Sequence, residues 1–262
     1  MDVEKEKPLL VKRLLELSRL SHNRDIVIFG DFLNMNELNI LQCIPKSEWH
    51  SNICTFGGYT DGERQMVAFY QDALYLAENA TFSHLNLPFP ISIIRISPLN
   101  LKFSEQLTHR DFLGAILNLG IDRSKTGDII VNDDGAYAFI HNTLVDFVSE
   151  NLTRVRNTIV TVEEVPQSEF TYSPKYKEIK GTVPSLRLDA ILSLAFSSSR
   201  NKCTGLIEGG KVFVNGKLIF SNSHKLKEED KISVRGVGKF KYIGISNITK
   251  KNRYLVSIHK YI

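Results

Sequence analysis

Residues 185–236 read SLRLDAILSLAFSSSRNKCTGLIEGGKVFVNGKLIFSNSHKLKEEDKISVRG, and this stretch decides the fold of the C-terminal third of the chain. Apolar residues recur at helical spacing over 186–195, and Ser199 is placed to cap a second helix from Arg200 to about Glu208. Two glycines end that helix. The segment that follows alternates apolar and polar residues around Asn215-Gly216, the dipeptide typical of a two-residue hairpin turn. The stretch therefore predicts two short packed helices followed by a small sheet.

Several positively charged residues of this module lie at positions where they destabilise a helix. Arg200 and Lys202 occupy the first turn of the second helix, where the helix macrodipole disfavours positive charge. A phosphate would reverse the sign of that effect, because backbone N–H groups and both side chains could converge on it. Lys211 and Lys217 flank the hairpin, and Asn215 at its tip offers a donor and an acceptor. This arrangement predicts an RNA-binding ridge.

The charge distribution along the chain supports a polyanionic partner. Residues 181–262 hold 15 Lys and Arg against 5 Asp and Glu, whereas residues 1–180 hold 18 against 24. A basic block of that density is typical of nucleic-acid binding, because each phosphate that a protein neutralises releases condensed counterions.

The pattern R-L-D, S-R, I-x-x-G-x-V-x-V-N-G and D-x-I-S-V-R-G resembles the S4 RNA-binding domain. The motif positions at which this resemblance implies RNA contact lie on both helices and around the hairpin, and neighbouring cations extend the set. Asn201 and Thr204 stand where relatives can carry basic residues. The predicted RNA-binding residues are Arg187, Ser199, Arg200, Lys202, Lys211, Asn215, Lys217, Lys225, Arg235 and Lys239.

The N-terminal region, residues 1–85, is predicted to be α+β. Leu10, Leu14 and Leu17 lie at helical spacing and predict an amphipathic helix over 3–20 that packs on a core. We expect a strand at 26–29 that ends at Gly30-Asp31, with Asp31 capping a helix that extends to Ile44. Strands are expected at 52–56 and 66–70. The GGYTDGE stretch between them lacks the lysine of a phosphate-binding loop and is predicted to be a structural turn.

The middle region, residues 86–165, has the predicted element order βαββαβ, which is typical of ferredoxin-like and RNA-recognition domains. Tyr137 and Phe139 resemble the aromatic pair on the third strand of RNA-recognition domains. Two roles remain open for them: stacking on RNA bases, or packing in a core. Residues 166–180 hold two prolines and no periodic pattern, and are predicted to be a connector to an S4 domain at 181–262.

Nearly the whole chain is similar to the YlmH family of bacterial S4-domain proteins. The similarity lies in FGGYTDGERQ (56–65), HRDFLGAILNLGIDRSKTGDI (109–129) and the S4 module with RGVGKFK (235–241). The resemblance implies a multi-domain α+β chain: a mixed N-terminal region, an RRM-like middle domain and a C-terminal S4 domain. It also implies association with ribosomal RNA on the large subunit, a role in rescuing stalled nascent chains, and contact with tRNA or peptidyl-tRNA.

No catalytic, cofactor-binding or metal-binding residues are predicted. The RLD string at 187–189 resembles the catalytic string of pseudouridine synthases, but Leu186 replaces the glycine, and Asp189 is expected on the surface of a helix. His109, Arg110 and Asp111 are expected to begin a helix, with Thr108 as its cap. Two alternatives stay open: an RNA-modifying enzyme of the pseudouridine synthase or methyltransferase type, and a scaffold linked to cell division.

The remaining sequence features indicate a soluble cytoplasmic protein. No apolar run approaches the roughly 18 residues of a transmembrane helix, and the MDVEKEKP start lacks the pattern of a secretory signal. Cys43, Cys54 and Cys203 are odd in number and form no C-x-x-C pair, which favours a reducing compartment. We expect neither a membrane nor a small-molecule partner.

Overall fold

The structure is a computed structural model that describes residues 3–60, 62–71, 87–101, 104–172 and 175–261. The chain divides into two compact units, Met1–Tyr172 and Ser173–Ile262, which we call the N-terminal unit and the C-terminal unit. Within the described residues, no helix is long and apolar enough to cross a membrane.

The N-terminal unit contains an α/β layer followed by the middle domain. The predicted boundary between them, at residues 85 and 86, lies outside the described residues. The elements of this unit are α1 (Val3–Arg24), β1 (Ile28–Leu33), α2 (Met35–Cys43), β2 (Asn52–Phe56), β3 (Gln65–Tyr70), β4 (Ile91–Pro98), α3 (His109–Leu117), β5 (Thr126–Asn132), β6 (Gly135–His141), α4 (Val145–Asn151), β7 (Arg154–Val155) and β8 (Thr158–Val165).

The α/β layer packs α1 and α2 on a sheet of order β1-β3-β2. Leu14 is buried, and Leu10 and Leu17 pack beside it, so the leucines predicted to lie in a core do so. The prediction that β1 ends at Gly30-Asp31 is wrong, because the strand continues to Leu33. Gly30 fits there because a Cβ would lie 2.7 Å from the side chain of Val67.

Asp31 does not cap α2 as predicted. Its carboxylate forms ion pairs of 2.6 Å with both Arg13 and Lys125. The cap is Asn34, whose Oδ1 accepts hydrogen bonds from the backbone N–H groups of Asn36 and Glu37. Three more residues of strand therefore precede the helix, and Asp31 instead joins α1 to the middle domain.

The middle domain has the predicted βαββαβ order. Its antiparallel sheet runs β5-β6-β4-β8-β7, so the first and third major strands, β4 and β6, lie next to each other at its centre. This is the ferredoxin-like arrangement. Helices α3 and α4 cover one face, where Phe112, Ile116 and Val148 are buried against the sheet.

The C-terminal unit packs two helices on one face of a sheet with strand order β11-β10-β12-β13-β14-β9. Its hydrophobic core includes Leu188, Ile191 and Ile207 from the helices. Its elements are β9 (Tyr176–Val183), α5 (Leu188–Ala195), α6 (Arg200–Glu208), β10 (Val212–Val214), β11 (Lys217–Leu218), β12 (Lys231–Val234), β13 (Gly238–Ile248) and β14 (Tyr254–Tyr261).

Strand β9 corrects the predicted connector at 166–180. Residues 176–180 belong to this edge strand, which pairs with β14 over its full length, from Tyr176 opposite Tyr261 to Val183 opposite Tyr254. Local sequence could not reveal the strand, because its hydrogen-bonding partner lies about 80 residues further along the chain.

Candidate nucleic-acid interface

The face of the middle-domain sheet opposite α3 and α4 is covered by the same unit. Phe139 is fully buried, with Tyr59 stacked on it at 4.9 Å and Phe170 edge-on at 5.2 Å between ring centroids. Tyr137 also contacts Phe170, at 5.3 Å. RNA-recognition domains stack bases on this face, so base stacking on Phe139 is wrong and core packing is correct. Tyr137 is half-buried beside it.

Hydrogen bonds between the GGYTDGERQ motif and Asp128 hold Tyr59 against the sheet. The carboxylate of Asp128 accepts hydrogen bonds from the Tyr59 hydroxyl at 2.9 Å, from the Glu63 backbone N–H at 2.6 Å and from the Arg64 backbone N–H at 3.1 Å. Burial and the neighbouring Asp128 raise the pKa of Tyr59 far above its usual value. The tyrosine therefore remains a hydrogen-bond donor at any physiological pH.

Arg64, from the same motif, ties three segments together. Its guanidinium donates to the backbone carbonyls of Thr126 at 2.9 Å, and of Phe32 and Arg123 at 3.0 Å. Burial lowers the pKa of Arg64, and burial together with nearby Arg64 lowers the pKa of Arg123 to about 10. Both guanidinium groups stay charged and are occupied by backbone oxygens, so this motif joins two layers of the fold.

Gly58 leaves no room for a side chain in this turn. Its φ is +91°, and a Cβ there would lie 2.3 Å from the ring of Phe139. The described part of GGYTDGE forms a turn against the sheet, as predicted; Asp61 lies outside the described residues.

The His109-Arg110-Asp111 cluster begins α3, as predicted. The carboxylate of Asp111 accepts hydrogen bonds from the Thr108 backbone N–H at 2.8 Å and the Thr108 hydroxyl at 2.6 Å. These bonds hold the pKa of Asp111 below its usual range. The carboxylate is therefore engaged in helix capping.

In the C-terminal unit, Asp189 brings two of the predicted cations together. Its carboxylate accepts a hydrogen bond from Arg187 Nε at 3.0 Å and lies 3.4 Å from Arg200 Nη2. Asp189 is only 6% exposed, so its predicted place on a helix surface is wrong. Its apolar neighbours Leu188 and Ala190 were the sequence signal for burial. Asp189 orients both guanidinium groups.

These cations surround the N-terminal ends of α5 and α6. Arg187 is the N-cap residue of α5, and Ser199 caps α6 as predicted, its hydroxyl accepting from the Lys202 backbone N–H at 3.3 Å. Lys225 lies beside Arg187 through a β-bridge. All five side chains are exposed. We call Arg187, Ser199, Arg200, Lys202 and Lys225 the helix-end group.

A second set of predicted RNA-binding residues lies at the hairpin. The Arg235 backbone N–H donates to the Lys211 carbonyl at 2.9 Å, which places these two exposed residues side by side. Lys217 is exposed on the outermost strand β11, opposite Val214. We call Lys211, Lys217 and Arg235 the sheet-edge group.

The side-chain amide of Asn215 makes two hydrogen bonds within the fold. Its Nδ2 donates to Asp230 Oδ1 at 2.8 Å, and its Oδ1 accepts from the Lys231 backbone N–H at 2.9 Å. Its φ of +49° fits the predicted two-residue turn, with Gly216 at +78°. Asn215 shapes the hairpin that carries Lys217.

Lys239 lies apart from both groups. It pairs with Ser233 across β12 and β13 on the sheet face opposite the helices, and its Nζ is 5.1 Å from the centroid of the Tyr261 ring. Among the described residues no cluster of His, Cys, Asp and Glu could hold a metal ion.

Two family models match the middle domain and the C-terminal unit. The family described as "Putative RNA-binding domain in YlmH" matches residues 87–169, and the S4 domain matches residues 186–232. The chain is 26% identical over 260 residues to "Ribosome-associated protein quality control protein P2" of Bacillus subtilis (strain 168), covering 98% of this chain and 96% of that protein. A solved structure, "Cell division protein ylmH from Streptococcus pneumoniae", is 25% identical with a TM-score of 0.49, covering 64% of this chain and 95% of that chain.

Both domains expected from the sequence resemblance are thus present in the expected order. The similarity to the quality control protein extends over nearly the full length of both chains. The chain therefore carries the RNA-binding domain described for YlmH, followed by an S4 domain.

Proposed function

We propose that this protein is a non-catalytic RNA-binding protein that docks on ribosomal RNA of the large subunit through its S4 domain. We further propose that it acts in the quality control of stalled nascent chains, in contact with tRNA or peptidyl-tRNA. The observation that carries the proposal is the helix-end group, where Asp189 orients Arg187 and Arg200 at the N-terminal ends of two helices.

The charges of the helix-end group favour the binding of phosphate. The N-terminal ends of α5 and α6 carry partial positive charge from the helix macrodipole, although the first backbone N–H groups of α5 already donate to the carbonyls of His224 and Asn222. Arg187, Arg200 and Lys202 add full charges, of which Asp189 neutralises one. Such a group is electrostatically unfavourable by itself and becomes favourable when RNA phosphates bind.

The placement of the other domains supports a non-catalytic role. The aromatic face of the middle domain is packed, and the Tyr59, Arg64 and Asp128 network is occupied by internal hydrogen bonds. The ribosomal setting is proposed from the printed name of the B. subtilis relative, and a cytoplasmic location follows from that setting.

The test is co-sedimentation of the purified full-length protein with separated 30S and 50S subunits across a salt series. Wild type is compared with Lys202→Glu/Lys211→Glu, which reverses one exposed cation in each group. Arg200 is kept, because a glutamate there would face the buried Asp189 carboxylate and could harm the fold. We expect wild type to bind 50S and the variant to bind more than tenfold more weakly, with a shallower dependence on salt.

The matched control is Lys250→Glu/Lys251→Glu, which makes the same change in net charge at exposed residues of the turn between β13 and β14. This control should stay within about threefold of wild type, because its cations lie outside both groups. Equal losses in the two double variants would refute the proposed docking surface. Wild-type binding to 30S alone, or to neither subunit, would refute the assignment to the large subunit.

A further inference from the structure

The sheet of the C-terminal unit has a second face, opposite α5 and α6, that the S4 motif does not explain. Register places two rows of facing residues across β9, β14, β13 and β12 on this side. Neither row belongs to the hydrophobic core of the unit. We call this side the outer face; its rows are Tyr176, Tyr261, Lys239 and Ser233, and Glu178, His259, Lys241 and Lys231.

An aromatic pair stands at one edge of the outer face. The rings of Tyr176 and His259 are stacked at 4.1 Å between centroids, with only 11° between their planes. Tyr176 lies on the edge strand β9 and is 52% exposed. A tyrosine that only filled a core would not remain half exposed at a sheet edge. The pair is a preformed stacking surface with one end open to solvent.

The rest of the outer face is positively charged. Lys180 comes from β9, Lys231 from β12, and Lys239 and Lys241 from β13. Lys239 lies against the ring of Tyr261. Carboxylates share the face, and two of them form ion pairs: Glu178 with Lys180 at 3.0 Å, and Glu229 with Lys241. Lysines are the more numerous charged residues on the described part of this side, which favours an anionic ligand.

Aromatic rings beside lysines on an open sheet favour one class of ligand. Unpaired nucleotides combine a flat base, which stacks on an aromatic ring regardless of sequence, with a phosphate that a lysine can neutralise. An RNA duplex offers only its backbone to such a face, because its bases are stacked inside. Tyr176 and His259 would thus distinguish single strands from duplex.

We propose that the outer face binds unpaired RNA nucleotides, with a base stacking on Tyr176 and a phosphate held by Lys239. This site is separate from the helix-end and sheet-edge groups, which lie around the helices and the hairpin. A single S4 unit would then bind RNA phosphates on one side and splayed bases on the other. The proposal does not depend on docking to the ribosome.

The test measures binding of the full-length protein to a fluorescein-labelled uridine decamer and to a 20-base-pair RNA duplex, by fluorescence anisotropy. We expect Tyr176→Ala to bind the decamer about tenfold more weakly than wild type and the duplex equally well. Tyr176→Phe should retain decamer binding, because stacking needs the ring and not the hydroxyl. The matched control is Phe220→Ala, which removes another exposed aromatic ring of this unit, 60% exposed and outside the outer face.

A second readout detects stacking directly. The fluorescence of 2-aminopurine placed within the decamer should be quenched on binding to wild type and to Tyr176→Phe, and much less on binding to Tyr176→Ala. Unchanged decamer affinity in Tyr176→Ala would overturn the proposal, and so would an equal loss in Phe220→Ala. Loss of 50S binding in Lys202→Glu/Lys211→Glu tests only the ribosomal function, so the two proposals can fail separately.

Discussion

Replacing Asp128 with alanine should destabilise the N-terminal unit by about 3 kcal/mol. The carboxylate accepts three hydrogen bonds, from Tyr59, Glu63 and Arg64. Hydrogen bonds to a charged group contribute roughly 1.5–3 kcal/mol each. Their simple sum overstates the loss, because Asp128 is only half-buried and water can reach some of the donors left behind. Loss of about half the sum is the expected result.

The assay is urea unfolding followed by tryptophan fluorescence. The chain has one tryptophan, Trp49, which packs against Phe69 at 6.0 Å in the N-terminal unit and so reports on that unit alone. With a urea dependence of roughly 2–3 kcal/mol per molar, the midpoint should fall by about 1 M or slightly more. Asp128→Asn keeps one acceptor oxygen, so its free energy of unfolding should fall by about half as much as that of Asp128→Ala.

The control is Asp133→Ala, which removes an exposed carboxylate from the same strand hairpin and should change stability by less than about 0.5 kcal/mol. A midpoint for Asp128→Ala within 0.2 M of wild type would show that the GGYTDGERQ turn does not hold the two layers together.

Two further predictions concern the hairpin and the cysteines. Asn215→Ala should destabilise the C-terminal unit by about 1–3 kcal/mol, because it loses two hydrogen bonds and strains a positive φ. The rate of hydrogen exchange at the Lys231 amide should rise accordingly. Asn215→Gly should recover only the part of the lost stability that comes from the positive φ. An unchanged exchange rate in Asn215→Ala would contradict the hydrogen-bonding role. In the native protein at pH 8, iodoacetamide should modify the exposed Cys43 first, because burial raises the pKa of Cys54 to about 11 and Cys203 is fully buried with a raised pKa. Mass spectrometry of the modified peptides checks this order, and equally fast modification of Cys203 would contradict the packing of α6.

Predictions from local patterns were the most successful. The Asn215-Gly216 turn, the Ser199 cap and the βαββαβ order each depend on residues within a few positions of one another. Such signals act through backbone preferences that are already present in a short segment. The S4 motif is also a local pattern, and it predicts the members of the helix-end and sheet-edge groups as RNA contacts.

The burial of particular residues could be determined only from the tertiary structure. The sequence signal of Phe139 is the same for a stacking aromatic as for a core residue, and only the packing of Tyr59 and Phe170 decides between them. Asp189 was likewise expected on a helix surface, and only the packing of the unit shows that it is 6% exposed. Each outcome depends on partners from other segments of the chain.

The sequence by itself determined the two kinds of domain, their order and the basic character of the C-terminal end, because periodicity, turn residues and charge are local properties. Only the tertiary structure decided which aromatic residues are exposed. It buries Phe139 under a turn 80 residues earlier in the chain and pairs β9 with β14, which sets Tyr176 against His259. The physical reason is that exposure of a side chain is fixed by contacts between distant segments, and no local pattern encodes those contacts.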